Sequence, residues 1–149
     1  MTTTEPEALP RWSVADVHES FESRSFVDAM ERCGADMARL EALFDEHSIR
    51  AITPRPVTAD DGQAADAVIT AINALDEHSN VTGAYILATT STDSYHEKAQ
   101  GLMAEYQMTG SRERPLMARF ADWLQSLGVD QLAAVSEQVA QHLGPLTKL

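Results

Sequence analysis

Two histidine-containing segments have the beginning of a zinc-binding helix motif. His96-Glu97-Lys98-Ala99-Gln100 starts like His-Glu-x-x-His, but Gln100 stands where the second histidine is required. The segment that begins His18-Glu19 fails in the same way, because Glu22 occupies its fifth position. Zinc binding needs both imidazoles on one helical face, four residues apart. We therefore interpret His18 and His96 as solvated residues at helix starts, and the sequence predicts no metal ligand.

The di-iron centre of helical bundles is a second kind of metal site, and it needs Glu-x-x-His on two helices. The sequence contains no Glu-x-x-His. Asp93-Ser94-Tyr95-His96 is the one segment in which an acidic residue precedes a histidine by three positions. His47 and His78 each follow an Asp-Glu pair at the end of a predicted helix. A cation complements the negative end of a helix dipole, so we predict a structural role for both histidines.

The remaining nucleophiles show no catalytic arrangement. Cys33 lies on the apolar face of its predicted helix, where a buried thiol behaves as a small hydrophobic group and a poor nucleophile. The sequence has no Gly-x-Ser-x-Gly, no phosphate-binding glycine loop and no Cys-x-x-Cys pair. We therefore predict no catalytic residue and no cofactor in this chain, which by itself is not a self-sufficient enzyme.

Composition and charge limit the class of protein. The 149 residues, 44% of them hydrophobic, suffice for one folded domain. The net charge of −12 repels phosphate backbones and anionic lipid headgroups, so we expect neither nucleic acid nor a membrane as a partner. The first residues lack the basic start and apolar run of a signal peptide. The single cysteine, Cys33, cannot form an internal disulfide, which is consistent with a reducing compartment. We expect a cytoplasmic protein with a flexible leader over residues 1–11 and one helical domain over residues 12–149.

The first helix is predicted from heptad spacing. Residues 25–47 carry apolar side chains at alternating intervals of four and three: Phe26, Met30, Cys33, Met37, Leu40 and Phe44. Pro54 and Pro56 break this pattern and predict a stiff linker over residues 48–57.

Two shorter helices are predicted next. Thr58 and Asp61 have the spacing of an N-cap and its acidic third helical position, and they precede an apolar series of Ala65, Val68, Ile72 and Leu75. Asn80 is predicted to cap a separate helix that ends near residue 91. The small residues Gly83, Ala84 and Ala88 would let a neighbouring helix approach it closely.

A long heptad register follows. Ser94 and Glu97 have the spacing of a capping box, and the register then runs from residue 95 to residue 127, with polar Thr109 and Glu113 among its positions. Gly110 and Pro115 leave two interpretations open. Either one long helix bends near residues 111–115, or two helices meet there in a loop. The unbroken register favours the bent helix.

A final helix completes the predicted fold. Gly128 ends the long helix, Asp130 caps the last one, and Gly144-Pro145 ends it. No run of alternating β-branched and polar residues predicts a strand. We predict an all-α bundle of about five helices with long antiparallel pairs.

Three segments, in order, resemble the oligoendopeptidase F-type zinc peptidases, which are similar to thimet oligopeptidase. The first is Pro10-Arg11-Trp12-Ser13-Val14-Ala15-Asp16-Val17, followed by Ser23-Arg24-Ser25-Phe26. The second runs from Tyr85 to Ser94 and is similar to a segment of that family in which a helix that contains a tyrosine ends at a Thr-Asp pair. The third is Arg119-Phe120-Ala121-Asp122-Trp123-Leu124. The match covers nearly the whole chain from about residue 10.

The resemblance implies a part of an enzyme. Members of the family are all-α cytoplasmic peptidases that cut short peptides inside a deep channel, and their zinc is held by His-Glu-x-x-His in a C-terminal domain. Their N-terminal helices form one wall of the channel and limit which substrates enter. The sequence contains no such motif, so no catalytic residue is transferred and we expect the catalytic domain to lie outside this chain. The expected partners are that catalytic domain, of the same or a split enzyme, and indirectly its peptide substrates.

The surface that would meet the missing domain should be apolar and exposed in this chain. Its predicted members are Tyr85 and Ile86, the small-residue face of residues 80–91, and the last helix. An alternative function of another class is a free-standing adaptor, which presents an acidic helical groove to a basic partner because of its charge of −12. A self-contained metalloenzyme is the third hypothesis, and bound zinc in the purified chain would support it.

Overall fold

The computed structural model describes residues 14–148, and every regular element in this range is a helix. The helices are α1 (Arg24–Glu46), α2 (Ala59–Thr92), α3 (Glu97–Ser111), α4 (Glu113–Leu127), α5 (Val129–Ala133), α6 (Glu137–Gln141) and α7 (Leu143–Leu146). The all-α prediction is thereby confirmed. The predicted leader over residues 1–11 lies outside the described residues, as does Trp12.

Helices α1 and α2 form a long antiparallel pair. The ring of Phe26, near the start of α1, lies 5.4 Å from that of Tyr85, near the end of α2. Further along the pair, Asp36 Oδ2 is 2.6 Å from His78 Nδ1. The apolar positions predicted for α1 face this contact, and five of them are buried: Phe26, Cys33, Met37, Leu40 and Phe44. The heptad prediction for α1 is confirmed.

Helix α2 is one continuous helix of 34 residues, so the prediction of a separate helix capped by Asn80 is wrong. Its start is as predicted: Thr58 and Asp61 form a reciprocal capping box. Asn80 is an exposed mid-helix residue. The helix continues through it because Leu75, Thr82 and Ile86 on either side are all buried within the bundle, and packing outweighs a weak local preference for a cap.

The third long element is the bent helix that the heptad register favoured, made of α3 and α4 with Arg112 between them. Arg112 keeps right-handed helical dihedral angles, and its guanidinium is paired with Glu41 of α1. Pro115 falls in the first turn of α4, where a missing N–H removes no helical hydrogen bond. The predicted capping box at Ser94 is wrong, because His96 is the N-cap of α3.

The C-terminal region differs from the single helix that was predicted. Residues 129–146 form the three short helices α5, α6 and α7. Ser136 interrupts the helical path: its hydroxyl caps α6 at Val139 N and donates to Asp66 Oδ1 of α2 at 2.6 Å. The backbone comes very close to α2 here, because a Cβ atom on Gly62 would lie 2.1 Å from the carbonyl oxygen of Val135.

The buried apolar side chains form two clusters at opposite ends of the α1–α2 pair. The main core contains residues from α1, α2, α4, α5 and α6, among them Phe44, Val68, Phe120, Trp123 and Leu132. The aromatic cluster is smaller and consists of Phe21, Phe26, Tyr85, Ile86 and Ala99.

Within residues 14–148, no helix combines the length and the apolar character required to cross a membrane.

Candidate functional site

A cavity of about 460 Å³ lies where α1, α2, α3 and α4 meet, beside the bend. We call it the bend cavity. Most of its lining is apolar or weakly polar, and includes Cys33, Met37, Leu75 and Tyr106. A neighbouring cavity of about 430 Å³ between α1 and α3 shares Cys33, Tyr106 and Thr109 with it. The bend cavity therefore lies between the two hydrophobic clusters, on elements from all four long helical segments.

Tyr106 is fixed in place by two contacts with α2. Its hydroxyl donates to the carbonyl oxygen of Ser79 at 2.9 Å. Its ring lies against Gly83, where an added Cβ would be 2.7 Å from the tip of the ring. The expectation that small residues admit a close neighbour is met at Gly83. Both contacts hold the Tyr106 ring as a wall of the cavity.

Glu113 is the half-buried carboxylate of the bend cavity. Burial raises its pKa, and the negative charge of Asp76 on α2 raises it further. Among residues 14–148, no group donates a hydrogen bond to the Glu113 carboxylate or forms an ion pair with it. Thr109 and Glu113 are the polar members of the heptad register, and both line the cavity. Polar residues within an otherwise apolar heptad register are the sequence signal that could have identified this site, but the sequence analysis did not assign a site to them.

His18 is buried, which corrects the prediction of a solvated residue. Its side chain is 9% exposed and packs edge-on against the rings of Phe26 and Tyr85. The Nδ1 atom is 2.9 Å from Ser25 Oγ, while Nε2 is buried without a hydrogen-bond partner in the described part of the chain. Burial lowers the pKa of His18. The sequence misses this because a short turn, not a helix, brings His18 into the aromatic cluster.

The other histidines and the cysteine take structural positions. His96 accepts a hydrogen bond from Ala99 N, and His47 caps the C-terminus of α1, where it was predicted to lie. His78 was predicted at a helix end but lies within α2, because α2 does not stop there. Cys33 is a buried free thiol, as expected from its position on α1.

The described residues do not fit a zinc site. Within residues 14–148, no three side chains of His, Cys, Asp or Glu lie close enough together to hold a metal ion.

Tyr85 and Ile86 are buried inside this chain, so the prediction that they form an exposed surface is corrected. Tyr85 is 7% exposed and Ile86 is fully buried, and both belong to the aromatic cluster. Because α2 is continuous, these side chains share the α1-facing side with Thr82. The exposed apolar side chains of this part of α2 are Val81 and Leu87.

Leu87 opens onto a shallow groove between α2 and α3. The groove has a volume of about 330 Å³, and we call it the α2–α3 groove; it is lined by Leu87, Thr90, Gln100, Met103, Ala104 and Gln107. Met108, on the next turn of α3, is 73% exposed. This face offers apolar side chains that no described residue covers.

Comparison of the chain with protein-family models, curated proteins and solved structures finds no match. The resemblance of the three segments to oligoendopeptidases therefore remains a prediction.

Proposed function

We propose that the chain is a non-catalytic helical domain of an oligoendopeptidase F-type zinc peptidase. In this role it forms one wall of the peptide channel and limits which substrates enter. The zinc and the residues that cleave short peptides belong to a catalytic domain outside this chain, and that domain is the partner. A buried free thiol at Cys33 suits the cytoplasm as the compartment.

The observation that supports this proposal is where the resembling segments lie in the fold. Ser23 of the first segment is the N-cap of α1, and its Oγ accepts a hydrogen bond from Phe26 N. The second segment ends with Thr92 as the last residue of α2 and Asp93 as its C-cap. Both segments mark the ends of long helices, which is the position that the family pattern gives them.

Side chains of the third segment connect α4 to the C-terminal end of α1 through hydrogen bonds and ring contacts. The Arg119 guanidinium donates to the carbonyl oxygens of Ile49 at 3.0 Å and Phe44 at 3.3 Å, and it lies 5.4 Å from the centre of the Phe44 ring. Phe120 and Trp123 stack within the main core. The described residues of the three segments thus end or pack helices, which supports a domain that shapes a channel without performing the chemistry.

The α2–α3 groove is the surface that we assign to the catalytic domain, in place of Tyr85 and Ile86. Exposed apolar side chains gathered on one face are typical of interaction surfaces. Leu87, which lines this groove, is 56% exposed, and Met108, which follows the groove residue Ala104 by four positions on α3, is 73% exposed.

A complementation experiment tests the proposal. The chain is mixed with the catalytic domain of an F-type oligoendopeptidase from which the N-terminal helices have been removed. Binding and the cleavage of quenched peptides of increasing length are then measured. We expect binding, and a fall in the cleavage of longer peptides relative to short ones. If neither binding nor a change in length preference occurs, the proposal is wrong.

Two variants locate the surface. Leu87→Asp places a charge in the α2–α3 groove and should weaken binding by about tenfold or more. Val27→Asp is the matched control, since Val27 is an exposed valine on α1 that does not line this groove. Equal effects of the two substitutions would remove the groove from the interface.

An acidic adaptor is the second candidate function. The observation that favours it is the small share of carboxylates in ion pairs. Of the 21 acidic residues within residues 14–148, the ion pairs engage six: Glu22, Asp28, Asp36, Glu41, Asp45 and Asp61. Binding to a basic protein that weakens steeply with salt, without any effect on the peptidase domain, would support this candidate.

A further inference from the structure

The bend cavity combines apolar walls with the carboxylate of Glu113, which has no hydrogen-bond or ion-pair partner among residues 14–148. Met37 of α1, Leu75 of α2 and the fixed ring of Tyr106 provide apolar walls. A volume of about 460 Å³ is ample for an unbranched chain of several methylene groups. Glu113 lines the same cavity.

The electrostatic environment of Glu113 is unfavourable to its own charge. The carboxylate is half-buried, and Asp76 adds a second negative charge from α2. The same two groups also act on Tyr106, whose pKa is raised mainly by burial, then by Cys33, Glu113 and Asp76. A cation placed beside Glu113 would relieve this repulsion and supply the missing partner.

The nearby arginines do not supply that cation. Arg112 is held by Glu41, and Arg114 lies at the cavity without an ion-pair or hydrogen-bond partner among residues 14–148. Arg114 is exposed, so water screens its charge more effectively than that of half-buried Glu113.

We infer that the bend cavity binds a primary alkylammonium group, with the alkyl chain against Met37, Leu75 and Tyr106 and the ammonium beside Glu113. Either a free amine or a lysine side chain of a peptide presents this group. The inference rests on the cavity alone and does not require the proposed peptidase partner.

The test uses n-pentylammonium as the probe, n-pentanol as its neutral counterpart, and the full chain. Binding is followed by NMR chemical shifts of backbone amides around residues 106–113. We expect n-pentylammonium to bind at least about tenfold more tightly than n-pentanol, since a charge-assisted hydrogen bond in a half-buried site is worth roughly one such factor or more. Equal affinities, or no binding of n-pentylammonium, would overturn the inference.

Matched variants identify the carboxylate. Glu113→Gln should remove the preference for the ammonium, whereas Glu105→Gln should leave it unchanged, because Glu105 is an exposed carboxylate that lines only the neighbouring cavity. Arg114→Gln should strengthen binding slightly by removing a competing positive charge. Retention of the full preference in Glu113→Gln, with native circular dichroism, would show that Glu113 does not bind the ammonium.

Two further measurements distinguish the source and the protonation state. Acetyl-Gly-Lys-Gly-amide and its norleucine analogue report whether a peptide side chain can enter: preference for lysine indicates a peptide source, and binding of the free amine alone indicates a small amine. Binding of n-pentylammonium should weaken as pH falls, because Glu113 becomes protonated and loses its negative charge. The titratable and charged groups that surround Glu113 are Asp76, Tyr106, Cys33 and Arg114. Glu113→Gln should lack this pH dependence, and a wild-type affinity that is constant from neutral to acidic pH would contradict the inference.

Discussion

The main core and the aromatic cluster both consist of buried apolar side chains, but they differ in the number of residues that are buried. The main core contains 17 buried residues and draws on α1, α2 and every helix from α4 to α6. The aromatic cluster contains five, and α3 contributes Ala99 as its one buried residue among those described. His18 Nε2, which has no partner within residues 14–148, lies at this smaller cluster.

We expect this difference in burial to give the two clusters different local free energies of unfolding. A core with many mutual contacts unfolds as a unit, whereas a cluster held by few buried groups opens locally at lower free energy. The bend cavity and the α2–α3 groove both use α3, the long helical segment with the least burial. We conclude that the main core maintains the fold and that the two surfaces proposed for binding depend on the least buried of the long helical segments.

The largest expected effect comes from truncating an aromatic residue in each cluster. Phe120 is 1% exposed and lies between Phe44 and Trp123, so Phe120→Ala should lower the free energy of unfolding by about 3–5 kcal/mol. Phe21→Ala should lower the free energy of unfolding by less, about 3 kcal/mol or below, because Phe21 is 9% exposed and its cluster contains few buried residues. Urea unfolding measures both values, and hydrogen exchange should show that Phe21→Ala loosens α3 while α4 stays protected. Equal costs with uniform loss of protection would show that the two clusters are one cooperative unit.

The second prediction concerns the contact of α2 with the C-terminal region. Gly62→Ala forces the backbone at Val135 away and should destabilise the main-core end by about 2–3 kcal/mol, as other overpacking substitutions do. Gly34→Ala in α1 is the control, because a Cβ there meets no atom within 4 Å, and alanine favours a helix by about 1 kcal/mol. Thermal melting should therefore move in opposite directions for the two variants. A neutral Gly62→Ala would contradict the close approach of residue 135.

The third prediction concerns the start of α2. Arg55 donates two hydrogen bonds to the Asp61 carboxylate, which together with Thr58 lowers the pKa of Asp61 to about 2. Asp61→Asn should therefore cost about 2 kcal/mol near neutral pH. Because the folded pKa lies below the ordinary value of 3.8, this stabilisation is complete above that value and is lost as pH falls toward about 2. The difference in melting temperature between wild type and Asp61→Asn should shrink over that window, while exposed Asp60→Asn serves as the control and should show a much smaller effect.

The smallest expected effect concerns His18 and the aromatic cluster. Its pKa in the folded state lies below 6.5, so the unfolded chain takes up the proton more readily. The contribution of neutral His18 is complete above pH 6.5 and decreases as pH falls below it. The groups around His18 are Ser25, Asp28 and Arg32 of α1 and Glu77, His78 and Tyr85 of α2. Melting between pH 5 and 7.5 should show a weaker pH dependence for His18→Gln than for wild type, with His47→Gln as the control. An identical pH dependence in wild type and His18→Gln would show that His18 is not protonated differently on unfolding.

Much of the fold could be predicted from the sequence because the signals are local. The heptad positions of α1 and the reciprocal contact of Thr58 with Asp61 depend on spacing within one helix. The continuity of α2 through Asn80 and the interruption at Ser136 could not be predicted. Both depend on contacts between residues that are far apart in the sequence. Thr82 and Ile86 of α2 are buried against neighbouring helices, and Asp66 accepts a hydrogen bond from the hydroxyl of Ser136.

The candidate site was only partly visible in the sequence. The sequence analysis places Glu113 in the heptad register, but it does not predict that Glu113 lies near Asp76, which belongs to another helix. Helix spacing does not specify where two helices cross, so the cavity could not be foreseen. The burial of His18 required a turn that has no periodic pattern.

The unbroken length of α2 restricts how this chain can tolerate insertions and deletions. A single residue inserted near Asn80 would rotate one half of α2 relative to the other by about 100°, since an α-helix has 3.6 residues per turn. That rotation would turn either Val68 and Leu75 or Tyr85 and Ile86 away from their clusters. Changes of length should therefore accumulate at residues 50–57, which join α1 to α2 without helical structure. Within α2, related sequences should vary in residue type but conserve the number of residues between the two clusters.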